Sequence, residues 1–198
     1  MKGSIGPALS PELTMIGSHT SDLFCHDLPT QPRSEIGTIL VKGATGYIGG
    51  RLVPELLARG YKVRILIRES FAEHCDRWPG AEVVVADALQ PLSLESALEG
   101  IHTAYYLIHS MLLGEKRLEA ADIQAAINFR KVAEKKQIKE IIYLGGLGDL
   151  QASLSAHLRT RTHVAEELSR GKVRTTILRA AIIIGSGSAS YEIIENLV

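Results

Sequence analysis

The stretch from Thr38 to Arg68, TILVKGATGYIGGRLVPELLARGYKVRILIR, leaves few folds open to this chain. An apolar run, Ile39-Leu40-Val41, enters a glycine loop as a buried strand would. The loop is Gly43-Ala44-Thr45-Gly46-Tyr47-Ile48-Gly49, and Ile48, Leu52, Val53, Leu56 and Leu57 leave it at helical spacing. Gly60 then suits a left-handed helix C-terminus, and Lys62 to Ile67 reads as a second strand. In such a strand–turn–helix–strand unit, backbone N–H groups at the helix N-terminus can face a pyrophosphate. One glycine permits the tight turn, one lets the phosphate approach, and one lets helix and strand pack closely. The unit predicts dinucleotide binding by Gly43, Ala44, Thr45, Gly46, Tyr47, Ile48 and Gly49. The spacing is G-x-x-G-x-x-G rather than G-x-G-x-x-G, which calls for a roomier loop, and no Gly-Lys-Ser/Thr follows, which excludes a P-loop. A glycine-rich βα turn without a ligand is the plain alternative.

The end of the second strand bears on which dinucleotide fits. An NAD site places an acidic residue about 20 positions beyond the glycines, against the ribose 2′-hydroxyl, whereas an arginine nearby accommodates the 2′-phosphate of NADP. Here the strand ends in Arg68, with Glu69 next. A guanidinium takes phosphate bidentately, so NADP(H) is favoured and Glu69 leaves NAD(H) open.

At 198 residues the chain holds one core of ordinary size and a tail. With 22 basic and 22 acidic residues it has no electrostatic bias toward nucleic acid or an anionic membrane. Cys25 and Cys75 lack a disulfide framework or zinc-ligand spacing, which fits the cytoplasm, and no metal is expected. No apolar run approaches the about 18 residues of a membrane span, and no signal-peptide core opens the chain.

Residues 1–36 hold Pro7, Pro11, Pro29 and Pro32 of the seven prolines and no sustained periodicity, so they read as a disordered or loosely packed extension to a domain over 37–198. A short helix is expected over 71–78, closed by Pro79-Gly80, then a third strand from Glu82 to Asp87. Asp87 and Ala88 would meet the adenine edge if strand three lies beside strand two. Asp87 is equally read as an ordinary turn former. A helix over Leu92–Leu98 precedes a fourth strand, Thr103 to Ile108, which runs into His109-Ser110-Met111. The carboxyl ends of parallel strands face the ligand crevice, so His109 and Ser110 should lie near the cofactor. A longer helix, Leu118 to Lys135, should bury Ile123, Ala126, Ile127 and Ala133 and expose Arg130, Lys131, Glu134 and Lys135. Strand five is expected over Glu140–Leu144, a helix over His157–Ser169 and strand six over Val173–Leu178. This alternation predicts an α/β fold, a doubly wound parallel sheet of order 3-2-1-4-5-6.

Together GATGYIGG at Gly43, ILIR ending at Arg68, ADAL at Ala86, YYLIHSM at Tyr105, IIYLGGLG at Ile141 and LRAAIIIGSGSAS at Leu178 resemble one family. It is the atypical, extended branch of the short-chain dehydrogenase/reductases, close to NmrA-like proteins and to the 39 kDa subunit of respiratory complex I. The resemblance implies an NAD(P)-binding Rossmann domain with the pyrophosphate on Gly43 to Gly49, the adenosine end at Arg68, and the ribose along Leu107, Ile108, His109 and Ser110.

The catalytic half of that pattern is absent. Active members carry Tyr-x-x-x-Lys on the helix after strand five, and none of the six tyrosines here has a lysine four residues on. The corresponding positions are His157 and Arg161, one helical turn apart, and Gly145 or Gly146 replaces the usual serine. In one reading His157 donates the proton, Arg161 holds the cofactor, and the protein is an NADPH-dependent oxidoreductase. In another the pair is structural or cofactor-binding, and the domain is a non-catalytic NADP(H) sensor or scaffold for a protein partner. Family members also continue past this point into segments that shape the substrate pocket. A third reading is therefore an incomplete chain that binds cofactor weakly and catalyses nothing, with apolar surface such as Ile193, Ile194 and Leu197 exposed.

Overall fold

The computed structural model describes residues 25, 31–68, 77–108, 116–147 and 155–197. By contacts the chain divides into Met1–Gln31 and Pro32–Val198. In the first unit only Cys25 and Gln31 are described, both exposed. The second carries six strands: β1 (Thr38–Lys42), β2 (Val63–Ile67), β3 (Glu82–Val85), β4 (Ile101–Tyr106), β5 (Glu140–Gly146) and β6 (Arg174–Ala180). They form one sheet in the order β3-β2-β1-β4-β5-β6, with every pairing parallel. The described helices are α1 (Tyr47–Ala58), α2 (Pro91–Ala97), α3 (Lys116–Lys135), α4 (Ala156–Ser169) and α5 (Ala189–Glu195). The strand order is the expected one, and the chain reverses direction across the sheet between β1 and β4.

A parallel strand buried on both faces sends successive side chains into different cores. Leu40, with Leu66, Ala104, Tyr106, Ile141 and Tyr143, packs under Leu94 of α2 and its C-cap Leu98, Phe129 and Ala133 of α3, and Val164 and Leu168 of α4. Ile39 and Val41, with Val63 and Ile65, pack on the other face against Val53, Leu56 and Trp78. Helix α1 ends as the glycine foresaw. Gly60 takes φ +80°, its N–H donates to the Leu57 carbonyl (2.9 Å), and the Tyr61 N–H donates to Leu56 (3.1 Å). That pair of bonds satisfies carbonyls the helix itself leaves without donors.

Several boundaries move for physical reasons. β5 continues through Gly145 and Gly146, which pair with Arg179 and Ala180 of β6, rather than stopping at Leu144. A Cβ on Gly146 would come within 2.8 Å of Leu158 Cδ2, so this glycine makes room for α4 on a continuing strand instead of ending it. β3 stops at Val85, because the Asp87 carboxylate accepts the Leu89 N–H (2.9 Å) and folds the chain back. β4 runs over Ile101–Tyr106, earlier than expected, and β6 over Arg174–Ala180, later. Of the helix expected over 71–78, only Arg77 and Trp78 are described; they lie in the turn before Ala81, and the remainder is outside the described residues.

Helix α3 corrects the expected faces. Its buried stripe is Ala125, Ala126, Phe129, Val132 and Ala133, while Ile123 and Ile127 are only half-buried. Arg130 and Glu134, expected in solvent, are half-buried against the following segment. Arg130 reaches Glu134 (3.4 Å) and Glu167 of α4 (3.8 Å), and Glu134 accepts the Lys172 N–H (3.1 Å). The pair is drawn inward because α4 lies alongside α3, which a single-helix pattern cannot reveal. Leu178 of β6, and Ile193, Ile194 and Leu197 beyond that strand, are exposed.

Candidate functional site

The glycine loop after β1 divides its three glycines among distinct tasks. Gly43 takes φ +96°, a left-handed conformation open to glycine. A Cβ there would press on the Leu107 backbone (3.0 Å) and on Ile108 Cγ2 (3.1 Å), so the loop is seated directly against the segment after β4. At Gly49 a Cβ would lie 2.2 Å from the Gly43 oxygen and 2.7 Å from Ala44 Cα. That glycine lets α1 close on the loop. Gly46 differs, since a Cβ would meet only the Gly43 oxygen, at 3.4 Å. Gly46 caps α1 in an extended conformation (φ −78°, ψ 172°), with no side-chain cap and no acidic residue in the first turn. The positive end of a 12-residue helix thus has no anion from its own cap or first turn, the arrangement that receives a phosphate. Ala44 is buried, Thr45 is exposed, and Tyr47 and Ile48 are half-buried.

The ends of the neighbouring strands converge on this loop. Leu107 donates its N–H to the Lys42 carbonyl (2.9 Å), which ties the β4 end to β1. Arg68 follows β2 directly and is exposed. Asp87 is engaged as a turn former through Leu89, and Ala88 is buried with its carbonyl accepting the Asn128 side-chain amide (2.9 Å). Asn128, on α3, is itself buried and accepts from Gln124 (2.8 Å). His109, Ser110 and Glu69 lie outside the described residues.

His157 and Arg161 do meet near the β5 end. Arg161 donates from Nη2 to the Leu144 carbonyl (2.9 Å), and the Tyr143 hydroxyl donates to the Arg161 carbonyl (3.2 Å). Arg161 Nε is buried with no hydrogen-bond partner among the described residues. Burial, and then the neighbouring Arg161 charge, lower the pKa of His157 below its usual value, while Asp122 opposes them.

Four further features were missed in the sequence. The first is Lys42, whose pKa burial lowers to about 8 against the raising influence of Asp87 and Asp122. Its position could have been noticed, because period-two alternation places it on the inward face shared by Leu40. The second is Asp122, which acts electrostatically on Lys42, Tyr106, Tyr143 and His157 and so links the two halves of the edge. The third is Asn128. The fourth is a clasp from α1 to the segment after β6: the Arg51 guanidinium stacks 3.7 Å from the Tyr47 ring centroid and donates to the Ser186 carbonyl (2.7 Å). A Cβ on Gly185 would sit 2.3 Å from the Tyr47 hydroxyl, so a larger residue there would displace that ring.

A six-stranded parallel sheet of this order, with an uncapped helix N-terminus at its glycine turn, defines a Rossmann-type nucleotide-binding domain. Residues 43–196 match the NAD(P)H-binding family, and the chain belongs to it. It is 32% identical over 124 residues to dihydroflavonol 4-reductase of Callistephus chinensis, covering 56% of this chain and 34% of that protein. It is 34% identical over 109 residues to an NmrA-like family domain-containing protein of Dictyostelium discoideum, covering 53% of this chain and 34% of the relative. The crystal structure of Citrobacter sp. triphenylmethane reductase complexed with NADP(H) superposes with a TM-score of 0.59 at 25% identity, over 73% of this chain and 49% of that one. The chain therefore sits among the atypical short-chain dehydrogenase/reductases, and it spans half or less of the length of these relatives. No helix among the described residues is long and apolar enough to cross a membrane.

Proposed function

We propose that this chain is the dinucleotide-binding part of an NADPH-dependent reductase. The observation that carries the reading is the glycine turn: Gly46 leaves open space in front of an α1 N-terminus that has no side-chain cap. The residues present fit a dinucleotide. Gly43 to Gly49 would hold the pyrophosphate, Arg68 the 2′-phosphate, Asp87 and Ala88 the adenine edge, and Leu107, Ile108 and His109 the ribose. Bound NADPH would supply the hydride, and the chain would bind it, orient it and hold its ribose. The buried Asn128 bond to Ala88 supports this by keeping the turn after β3 in place.

The non-catalytic reading, a domain that reports NADP(H) to a protein partner, has specific support at His157. Burial and the Arg161 charge hold the His157 pKa below its usual value, which disfavours the protonated form that a proton donor needs. Arg161 is already engaged by the Leu144 carbonyl. Cysteine usage, Cys25 and Cys75 without disulfide spacing, supports a cytoplasmic protein.

Fluorescence titration with NADPH and NADH tests the reading. The wild type is expected to bind NADPH more tightly, and Arg68→Ala to bring the two affinities together. Equal wild-type affinities would remove the preference, and binding of neither nucleotide would overturn the proposal.

A further inference from the structure

Lys42 occupies the last position of β1, immediately before Gly43 and opposite Leu66 of β2 and Tyr106 of β4. Only 4% of it is exposed. Its ammonium lies over the rings of Tyr106 (5.4 Å) and Phe129 (6.0 Å), and among the described residues it makes neither a hydrogen bond nor an ion pair. A buried cation without a bonded partner is costly, and rings that attract it through their faces recover only part of the lost hydration. Asp87 from the turn after β3, Asp122 from α3 and Arg68 from the end of β2 act on it through space. Strand ends β1, β2 and β3 and helix α3 thus converge on one ammonium that lies over two ring faces, at the crevice edge of the sheet.

We propose that Lys42 is a second cationic ligand for the nucleotide, donating from below to a phosphate oxygen of its adenosine half. This rests on the dinucleotide reading and extends it. The glycine turn offers backbone N–H groups from the α1 side and Arg68 a guanidinium from the β2 end. Lys42 adds a donor from the opposite, α3-facing side of β1, where β1 alternation puts it beside Leu40. Its bond to an anion would replace the hydration that burial removed, which explains why a lysine is held where the neighbouring inward position is leucine.

The sign of the pH dependence follows from the unbound state. Free Lys42 keeps its proton below about pH 8 and loses it above. An anionic ligand favours the protonated form, so affinity is highest below pH 8 and weakens as pH rises through that value. The other charged and titratable groups that face it are Asp87 after β3, Asp122 of α3, Arg68 after β2 and Tyr106 of β4, and burial pushes the Tyr106 hydroxyl above its ordinary value.

The test is titration of the wild type and Lys42→Met with NADPH, NADH and adenosine 2′,5′-bisphosphate between pH 7 and 9.5. The expected result is a loss of about tenfold or more in Lys42→Met at pH 7, the size of a hydrogen bond to a charged group, with the wild type losing its advantage toward pH 9.5. A loss for NADPH and the bisphosphate alone assigns the 2′-phosphate, and a loss extending to NADH assigns the pyrophosphate. Wild-type-like affinity in Lys42→Met for all three overturns the inference while leaving dinucleotide binding intact. Absence of any binding to the wild type overturns both. Should Lys42→Met not fold, the wild-type pH profile decides: a flat curve from pH 7 to 9.5 removes Lys42 from the site.

Discussion

Gly46→Val separates ligand space from packing space. A Cβ at Gly46 meets only the Gly43 oxygen, at 3.4 Å, and the residue's φ of −78° and ψ of 172° are extended values that valine adopts readily. Losing a glycine N-cap costs a few tenths of a kcal/mol to about 1 kcal/mol, and restricting the unfolded chain returns about 0.4–1 kcal/mol. The net change in stability should stay within about 1 kcal/mol, or about 2–4 °C in Tm for a domain of this size. The isopropyl group would instead fill the approach to the α1 N-terminus. Two charge-assisted hydrogen bonds at about 1.5–3 kcal/mol each correspond to at least a 100-fold loss of NADPH affinity. Gly49→Ala is the counter-experiment, because its Cβ would sit 2.2 Å from the Gly43 oxygen, a backbone atom that cannot rotate away. Overpacking of that kind costs about 1–3 kcal/mol or more and should lower Tm by several degrees. Circular dichroism melts and NADPH fluorescence titrations on both variants provide the readout. A Gly46→Val protein that binds NADPH as well as the wild type would place the cofactor elsewhere, and an unchanged Tm in Gly49→Ala would refute the packing account.

Three further outcomes are expected. The His157 pKa is depressed on folding, so its contribution to stability is present above about pH 6.5 and is lost as pH falls through its lower folded value; His157→Gln should flatten that part of the Tm–pH curve, and an unchanged curve would remove the linkage. Asn128→Ala leaves the Ala88 carbonyl without its donor and should destabilise the domain by about 1–3 kcal/mol in urea melts, with a neutral result showing that the turn is held by other means. If His157 transfers a proton, His157→Phe should cut turnover of a responsive ketone, aldehyde or enone by about 10²–10⁴ with NADPH affinity nearly unchanged, whereas no NADPH oxidation across the panel by the wild type favours the sensor.

Local regularities carried most of the architecture into the sequence. Period-two and helical apolar patterns fix strands and helices whose existence depends on burying one face, and the glycine turn with its flanking strand and helix leaves one parallel topology. Gly60 was legible as a left-handed cap because that conformation excludes most side chains wherever it occurs. Strand ends were less legible, since a strand stops where its neighbour stops pairing. β5 runs through Gly145 and Gly146 because β6 pairs with them, and β3 ends early because the Asp87 side chain makes its own turn.

The sequence by itself determined that a βαβ unit opens the domain, that its first turn is shaped for a dinucleotide, and that the usual tyrosine–lysine pair is missing. All three depend on residue types at short spacing. Only the tertiary structure decided that Lys42 is a buried cation held over the Tyr106 and Phe129 rings, that Asp122 acts on both Lys42 and His157, that Asn128 pins the turn after β3, and that Arg51 reaches Ser186, 135 residues away. Each depends on charges and hydrogen-bonding groups brought together from different strands and helices. Burial, and the distance between charges, set their energies, and neither exists until the sheet closes against its helices.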